Sequence, residues 1–226
     1  MSQPKILIVD DEVDILDLLE YNLEKEGYEV IKAMDGEEAI RKSREHKPDM
    51  ILLDIMMPNL DGIETCRRIR AIKGLEKVFI VFLTARAEEY SELAGFEAGA
   101  DDYIPKPIKP RVLMSRLRAI FRREQSNDTK EDTLKVHDLE VIRDEYIVRR
   151  GEEKISLPRK EFELLYFLAS YPGKVFRRAK LLEQVWGDVF VVDRTIDVHI
   201  RKLREKIGDD YIQTVKGVGY KLKKEE

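Results

Sequence analysis

The sequence predicts an α/β domain on a five-stranded, doubly wound parallel sheet, followed by a smaller α+β domain. Three observations carry that prediction. Short apolar runs alternate with helical-period stretches through the first half of the chain. A twelve-residue segment, Arg122–Thr133 (RREQSNDTKEDT), then has no apolar side chain. Beyond it, four short strand-like pieces precede three helical stretches and a strand–turn–strand. Strands and helices in strict alternation need crossover connections, hence parallel strands with helices on both faces. A segment that can bury nothing behaves as a solvated linker, and such long loops are uncommon within one domain. The expected limits are 1–123, a linker at 124–133, and 134–226.

In the first domain the expected strands are Lys5–Val9, Tyr28–Ile31, Met50–Leu53, Val78–Leu83 and the weaker Asp102–Ile104. Met50–Leu53 and Val78–Leu83 are apolar throughout, as strands covered on both faces should be. The first helix carries Ile15, Leu18, Leu19 and Leu23 and stops at Gly27. Further helices are expected near Glu37–Glu45, Ile63–Ile72, Glu88–Ala98 and Val112–Phe121. In the second domain the strands are Leu134–Val136, Leu139–Ile142, Tyr146–Arg149 and Ile155–Leu157. Helices follow around Phe162–Leu168, Lys180–Trp186 and Asp193–Ile207, then a hairpin over Ile212–Leu222.

Composition excludes several classes. The chain has 226 residues, 43% hydrophobic and 38% charged, enough apolar material for a sizeable core. No run of about 18 apolar residues exists, so no membrane span is expected. Met1–Lys5 leads directly into a short strand, not the apolar region of a secretory signal. The single cysteine, Cys66, excludes an internal disulfide or a multi-cysteine metal site. The expectation is a soluble cytoplasmic protein. The net charge of −4 lies wholly in residues 1–123, whereas 124–226 carries 21 basic and 21 acidic side chains.

In parallel α/β sheets ligands bind beyond the carboxyl ends of the strands. Those ends carry Asp10-Asp11-Glu12, Asp54, Thr84 and, after the fifth strand, Lys106. One Asp after a strand is usually a helix cap, and a lone Lys between prolines is usually a surface residue. The joint pattern at four strand ends points instead to a site. Converging carboxylates repel unless a cation intervenes, and all-oxygen ligation suits Mg²⁺. A carboxylate beside such an ion can act as nucleophile toward phosphorus, with a lysine and a hydroxyl sharing the phosphoryl charge.

Ile8-Val9-Asp10-Asp11-Glu12, Leu53-Asp54-Ile55-Met56-Met57-Pro58 with Asp61-Gly62, Thr84-Ala85, and Tyr103 with Lys106-Pro107 resemble the receiver domain of bacterial response regulators, a flavodoxin-like fold. The resemblance covers residues 4–123. It implies that Asp54 accepts a phosphoryl group from a sensor histidine kinase. It implies Mg²⁺ held by Asp11, Asp54 and the Met56 carbonyl, with Asp10 acting through water. Lys106 would pair with the phosphoryl group ahead of a cis proline bond, and Thr84 and Tyr103 would form a switch, the ring turning inward on phosphorylation.

In the second domain, Asp193–Ile207 is a two-faced helix with Gly208 as its stop. Ile196, Ile200, Leu203 and Ile207 form an apolar stripe, and Arg194, Thr195, Val198, His199, Arg201 and Lys202 are assigned to the opposite side. Between Arg194 and Lys206 five basic and two acidic side chains give +3, and Asp193 is a candidate cap. A solvated basic face is the plain alternative. Against it stand the crowding of Arg194, Thr195, Val198 and His199 in the first turns, where a recognition helix meets base edges, and an apolar Val198 suited to a thymine methyl. Trp186 is assigned to the core.

Leu157-Pro158 with Glu161-Phe162-Glu163-Leu164-Leu165, the run Arg194–Arg204, and Thr214-Val215-Lys216-Gly217-Val218-Gly219-Tyr220 resemble the winged-helix effector of the OmpR/PhoB class, over residues 134–224. This implies contacts with double-stranded DNA by Arg194, Thr195, Val198, His199, Arg201, Lys202 and Arg204, and by Thr214, Lys216 and Tyr220 from the wing. Lys202 and Lys216 stand where the class often has arginine, which forfeits bidentate geometry. The class implies a homodimer on phosphorylation, through the fourth helix, fifth strand and fifth helix. The usual ion pair there is lost, since the aligned residues are Glu92 and Val112. Glu97, Asp101 and Asp102 against Arg116, Arg118 and Arg122 are the remaining candidates. The loop Gly187–Val192 is where RNA polymerase is expected.

Two other functions compete. A free-standing phosphotransferase or phosphatase would need a second substrate element, which is not visible, and an acceptor Asp alone gives slow self-hydrolysis, so no enzyme is expected. A protein-gripping winged helix would show an apolar patch in place of the basic helix.

Overall fold

The computed structural model describes residues 3–84, 89–125, 133–187 and 194–224. The chain divides into two compact units, Met1–Asp128 and Thr129–Glu226. Most of the expected linker, together with Ala85, the cap at Asp193 and positions 188–192 of the polymerase loop, lies outside the described residues.

The first unit alternates β1 (Lys5–Val9), α1 (Val13–Lys25), β2 (Glu29–Ala33), α2 (Gly36–His46), β3 (Met50–Asp54), α3 (Gly62–Arg70), β4 (Phe79–Thr84), α4 (Glu89–Ala98), β5 (Asp102–Pro105) and α5 (Pro110–Gln125). The strands form one sheet in the order β2-β1-β3-β4-β5, every pairing parallel. Side chains alternate between its faces. Ile6, Ile8, Met50, Leu52, Val81 and Leu83 join Leu16, Leu19 and Leu23 of α1 and Leu113 and Leu117 of α5 in one core. Leu7, Val9, Ile51, Leu53, Ile80 and Phe82, all buried, face the other way, the side of α2, α3 and α4. α5 runs to Gln125, past its last buried apolar residue, because the arginines and glutamate that follow are good helix formers.

The second unit opens with an antiparallel four-stranded sheet, β6 (Thr133–Val136), β7 (Leu139–Ile142), β8 (Ile147–Arg150) and β9 (Glu153–Ser156). It continues as α6 (Arg159–Ala169), β10 (Phe176–Arg177), α7 (Arg178–Val185), α8 (Arg194–Ile207), β11 (Ile212–Val215) and β12 (Gly219–Leu222). One core unites these elements, with Trp186 inside it. β10 escapes sequence reading because two residues carry no period. It exists through its pairing with β12, which makes the terminal hairpin a three-stranded sheet. No helix among the described residues is long and apolar enough to cross a membrane.

Candidate functional site

Strand register builds the first site. Val9 lies level with Leu53, so Asp10 follows its strand beside Asp54, and Thr84 lies level with Pro105, one residue before Lys106. The sheet order reverses between β2-β1 and β3-β4-β5, so the crevice opens at that switch point. Lys106 Nζ stands 2.8 Å from Asp10 Oδ2 and 2.8 Å from Asp54 Oδ1. Asp10, Asp54 and Thr84 are buried. Asp54 Oδ2 accepts from the Met56 amide at 2.9 Å, and Asp10 Oδ1 from the Glu12 amide at 3.1 Å. The Lys106 amide donates to the Thr84 carbonyl at 2.6 Å, and the Lys106–Pro107 bond is cis.

Electrostatics follow from burial and company. Burial pushes the Asp54 carboxyl up and the Asp10 charge adds to this, while Lys106 pulls the other way. Burial opposes the Lys106 charge, yet the two carboxylates outweigh it and raise its pKa. Asp61 caps α3 by accepting from the Glu64 amide, and a Cβ on Gly62 would lie 2.1 Å from the Asp54 carbonyl. Only glycine lets α3 start against the acceptor strand.

Of the carboxylates expected at this rim, Asp10 and Asp54 meet at Lys106. No group of three or more acidic, histidine or cysteine side chains is placed to hold a metal among the described residues. Asp11 is exposed, and the Lys106 ammonium stands between Asp10 and Asp54, supplying the positive charge that those two need. Tyr103 is buried between Phe82 and Phe96, its ring turned into the protein.

The second site is α8. Ile196, Ile200, Leu203 and Ile207 are buried as expected, while Arg194 and Arg201 are exposed and Val198, Lys202 and Arg204 half-buried. Two residues assigned to the polar face are corrected: Thr195 and His199 are buried. His199 lies three residues after Ile196 and four before Leu203, so the apolar stripe includes it, and Thr195 lies four residues earlier on the same edge. The His199 Nδ1–H donates to the Thr195 carbonyl at 2.9 Å. Burial, reinforced by Lys202, Lys160 and Lys206, lowers the imidazole pKa to about 3.

Tyr220 is a third correction. It is buried, and its hydroxyl donates to Asp197 Oδ1 at 2.6 Å. Arg178 Nε reaches the same oxygen at 2.6 Å. Arg204 donates to the Ile212 carbonyl at 2.7 Å and to Thr214 Oγ1 at 2.9 Å, tying helix to wing. Thr214 and Lys216 are exposed on the wing. Sequence reading missed Arg178 and Asp197, since a clamp between residues so far apart has no local signal.

One candidate for the self-association face is also corrected. Asp101 is fully buried, accepting from Arg70 at 2.7 Å and from the Ile80 amide at 2.8 Å. Arg118 lies 3.4 Å from Glu26, next to α1. Asp102 is buried with Arg116 3.9 Å away, whereas Glu97 and Val112 are exposed. The side chains of Glu92 and Arg122 lie outside the described residues.

Comparison with known proteins agrees with both halves. The response regulator receiver domain model matches residues 6–118, and the model for the C-terminal domain of transcriptional regulatory proteins matches 151–222. The alkaline phosphatase synthesis transcriptional regulatory protein PhoP of Bacillus subtilis (strain 168) is 46% identical over 232 residues, covering 96% of each protein. Among solved structures, a RitR mutant is similar with a TM-score of 0.75 at 29% identity, over 98% of this chain and 100% of that one. The response regulator DrrB of Thermotoga maritima, an OmpR/PhoB homologue, is 36% identical over 98% of this chain and 100% of that one, with a TM-score of 0.52.

Proposed function

The chain belongs to the two-component response regulators of the OmpR/PhoB class, and on that premise we propose that it takes a phosphoryl group onto Asp54 from a sensor histidine kinase and responds by dimerising and binding specific DNA sites to regulate transcription. The observation that carries this is Lys106, 2.8 Å from both Asp10 and Asp54 at the carboxyl end of the sheet. An Asp54 oxygen attacks phosphorus as the bond to the kinase imidazole breaks. Lys106, already between the carboxylates, meets the new negative charge, and the Met56 amide orients the acceptor. The Thr84 hydroxyl then turns toward the phosphoryl oxygens, coupled to the inward ring of Tyr103. The modified Asp54 is a stored signal, so the protein turns nothing over.

Mg²⁺ fits the pocket. Asp10 Oδ2 is buried without a well-aligned hydrogen bond, although Lys106 lies 2.8 Å away, and Asp54 stands beside it. Asp10, Asp11, Asp54 and the Met56 carbonyl would hold the ion, few enough protein ligands for a cation that keeps its waters. When bound it neutralises phosphoryl oxygens.

DNA is met by the outer side of α8, with Arg194, Val198, Arg201 and Lys202 reaching it and Thr214 and Lys216 adding backbone contacts from the wing. Thr195, His199 and Tyr220 support that surface from behind. RNA polymerase is the proposed downstream partner, and the cytoplasm the proposed compartment.

The test is labelling by a small phosphodonor such as acetyl phosphate with Mg²⁺. Wild type should gain an acid-stable, base-labile label, and Asp54→Asn should gain none. Full labelling of Asp54→Asn would overturn the assignment.

A further inference from the structure

We propose that Gly95 on α4 is the residue that admits Tyr103 to the receiver interior, so that a bare Cα at this position couples the carboxylate pocket to self-association. This rests on the reading above of Thr84 and Tyr103 as the pair that responds to Asp54.

A Cβ on Gly95 would lie 1.6 Å from the Tyr103 hydroxyl oxygen, 2.7 Å from its Cζ and 2.9 Å from Phe82 Cε2. The first of these is close to a bond length. Gly95 occupies the interior of α4, where glycine destabilises a helix relative to alanine, and it has no positive φ to require it. Space is therefore what calls for glycine here.

The tyrosine has nowhere else to go inside. Its ring packs 5.3 Å from Phe82 and 4.9 Å from Phe96, centroid to centroid, and both partners are fully buried. Interiors this dense do not absorb an extra methyl group without displacing a neighbour. With any side chain at 95, the ring must leave the interior and lie over β5, between α4 and α5.

The contact also reaches the pocket. Phe82 is paired with Tyr103 across β4 and β5, and Thr84 stands two residues beyond Phe82, on the same face of the sheet. Thr84 and Phe82 share one face of β4, Tyr103 lies level with Phe82, and Gly95 of α4 packs over both rings, so these residues run in line from the phospho-acceptor side to α4.

The experiment uses the full chain, with acetyl phosphate labelling to read the pocket and sedimentation equilibrium with beryllofluoride and Mg²⁺ to read self-association. Gly95→Ala should label within twofold of wild type while its dimer dissociation constant rises at least tenfold. In a Tyr103→Leu background, where no ring reaches residue 95, Gly95→Ala should add no further loss. An unchanged dimer in Gly95→Ala, or a further tenfold loss in the double variant, overturns the inference. Loss of labelling in Gly95→Ala also overturns it, assigning the glycine to the fold of the pocket. Wild type that fails to label overturns the underlying reading, and this inference with it.

Discussion

His199 sets its ring edge-on to the indole of Trp186, centroids 4.8 Å apart and planes at 76°, although it belongs to α8, the helix proposed above to meet DNA. The contact joins α8 to the end of α7. Lys160 completes the joint, with its ammonium over the same indole and donating to the Val185 carbonyl at 2.6 Å. The imidazole is thus enclosed by an aromatic ring and by lysines, an environment that keeps it neutral.

A pH dependence follows. The folded imidazole titrates near about 3 and the unfolded one near 6.5, so between those values only the unfolded chain gains the proton. Stability should fall as pH drops below about 6.5, by up to about 1.4 kcal/mol per pH unit. Trp186 is the sole tryptophan, so its fluorescence reports this unit during urea unfolding. Between pH 7.5 and 5.5, His199→Gln should lose about 1.4 kcal/mol less than wild type. Equal losses would refute the buried neutral histidine.

Thr195 and Arg201 should separate cleanly. The Thr195 hydroxyl is buried without a hydrogen-bond partner, so Thr195→Val should be neutral or stabilising by about 1 kcal/mol, with unchanged DNA affinity. Arg201→Ala should weaken binding by about 1–3 kcal/mol and lower the slope of log K against log salt by about 1. Filter binding across a salt series on a fragment selected by wild type measures both. A large affinity loss in Thr195→Val would place that hydroxyl at the DNA after all.

Asp197 offers a contest between charge and position. Removing an acid from the helix proposed to meet DNA should tighten binding if charge alone mattered. Asp197 also holds Arg178 and the Tyr220 hydroxyl, each at 2.6 Å, and so sets the wing against the helix. Asp197→Ala should therefore bind the same fragment at least several-fold more weakly, and Tyr220→Phe, which loses one of these bonds, should cost about 1 kcal/mol of stability. Tighter binding by Asp197→Ala would show the clamp to be dispensable.

Lys106 places one positive charge between two buried carboxylates. Lys106→Met leaves them facing each other without a countercharge, a loss of about 3–5 kcal/mol for a broken buried pair. Thermal unfolding of the receiver without divalent cation should record it, and labelling by acetyl phosphate should slow at least tenfold. An unchanged melting temperature would mean that the pair is solvated rather than enclosed.

Much of this protein was legible in one dimension. The alternation of apolar strands with amphipathic helices dictates a parallel sheet. A parallel sheet dictates one functional rim, and Asp10, Asp54, Thr84 and Lys106 fall on it because each directly follows or ends its strand. These are consequences of local period and chain direction. What the tertiary structure alone decided depends on which surfaces meet. The apolar stripe of α8 has a definite centre in the sequence, but its width is set by Trp186 from α7, which draws His199 and Thr195 inside. Tyr220 turns inward because its hydroxyl donates to Asp197 and accepts from Arg178, and β10 is a strand only because β12 lies beside it. Asp11 is exposed at the rim while Asp10 is enclosed beside the ammonium of Lys106, a difference that no local period signals. Periodicity names the faces of an element, but only a packed neighbour decides how far each face extends.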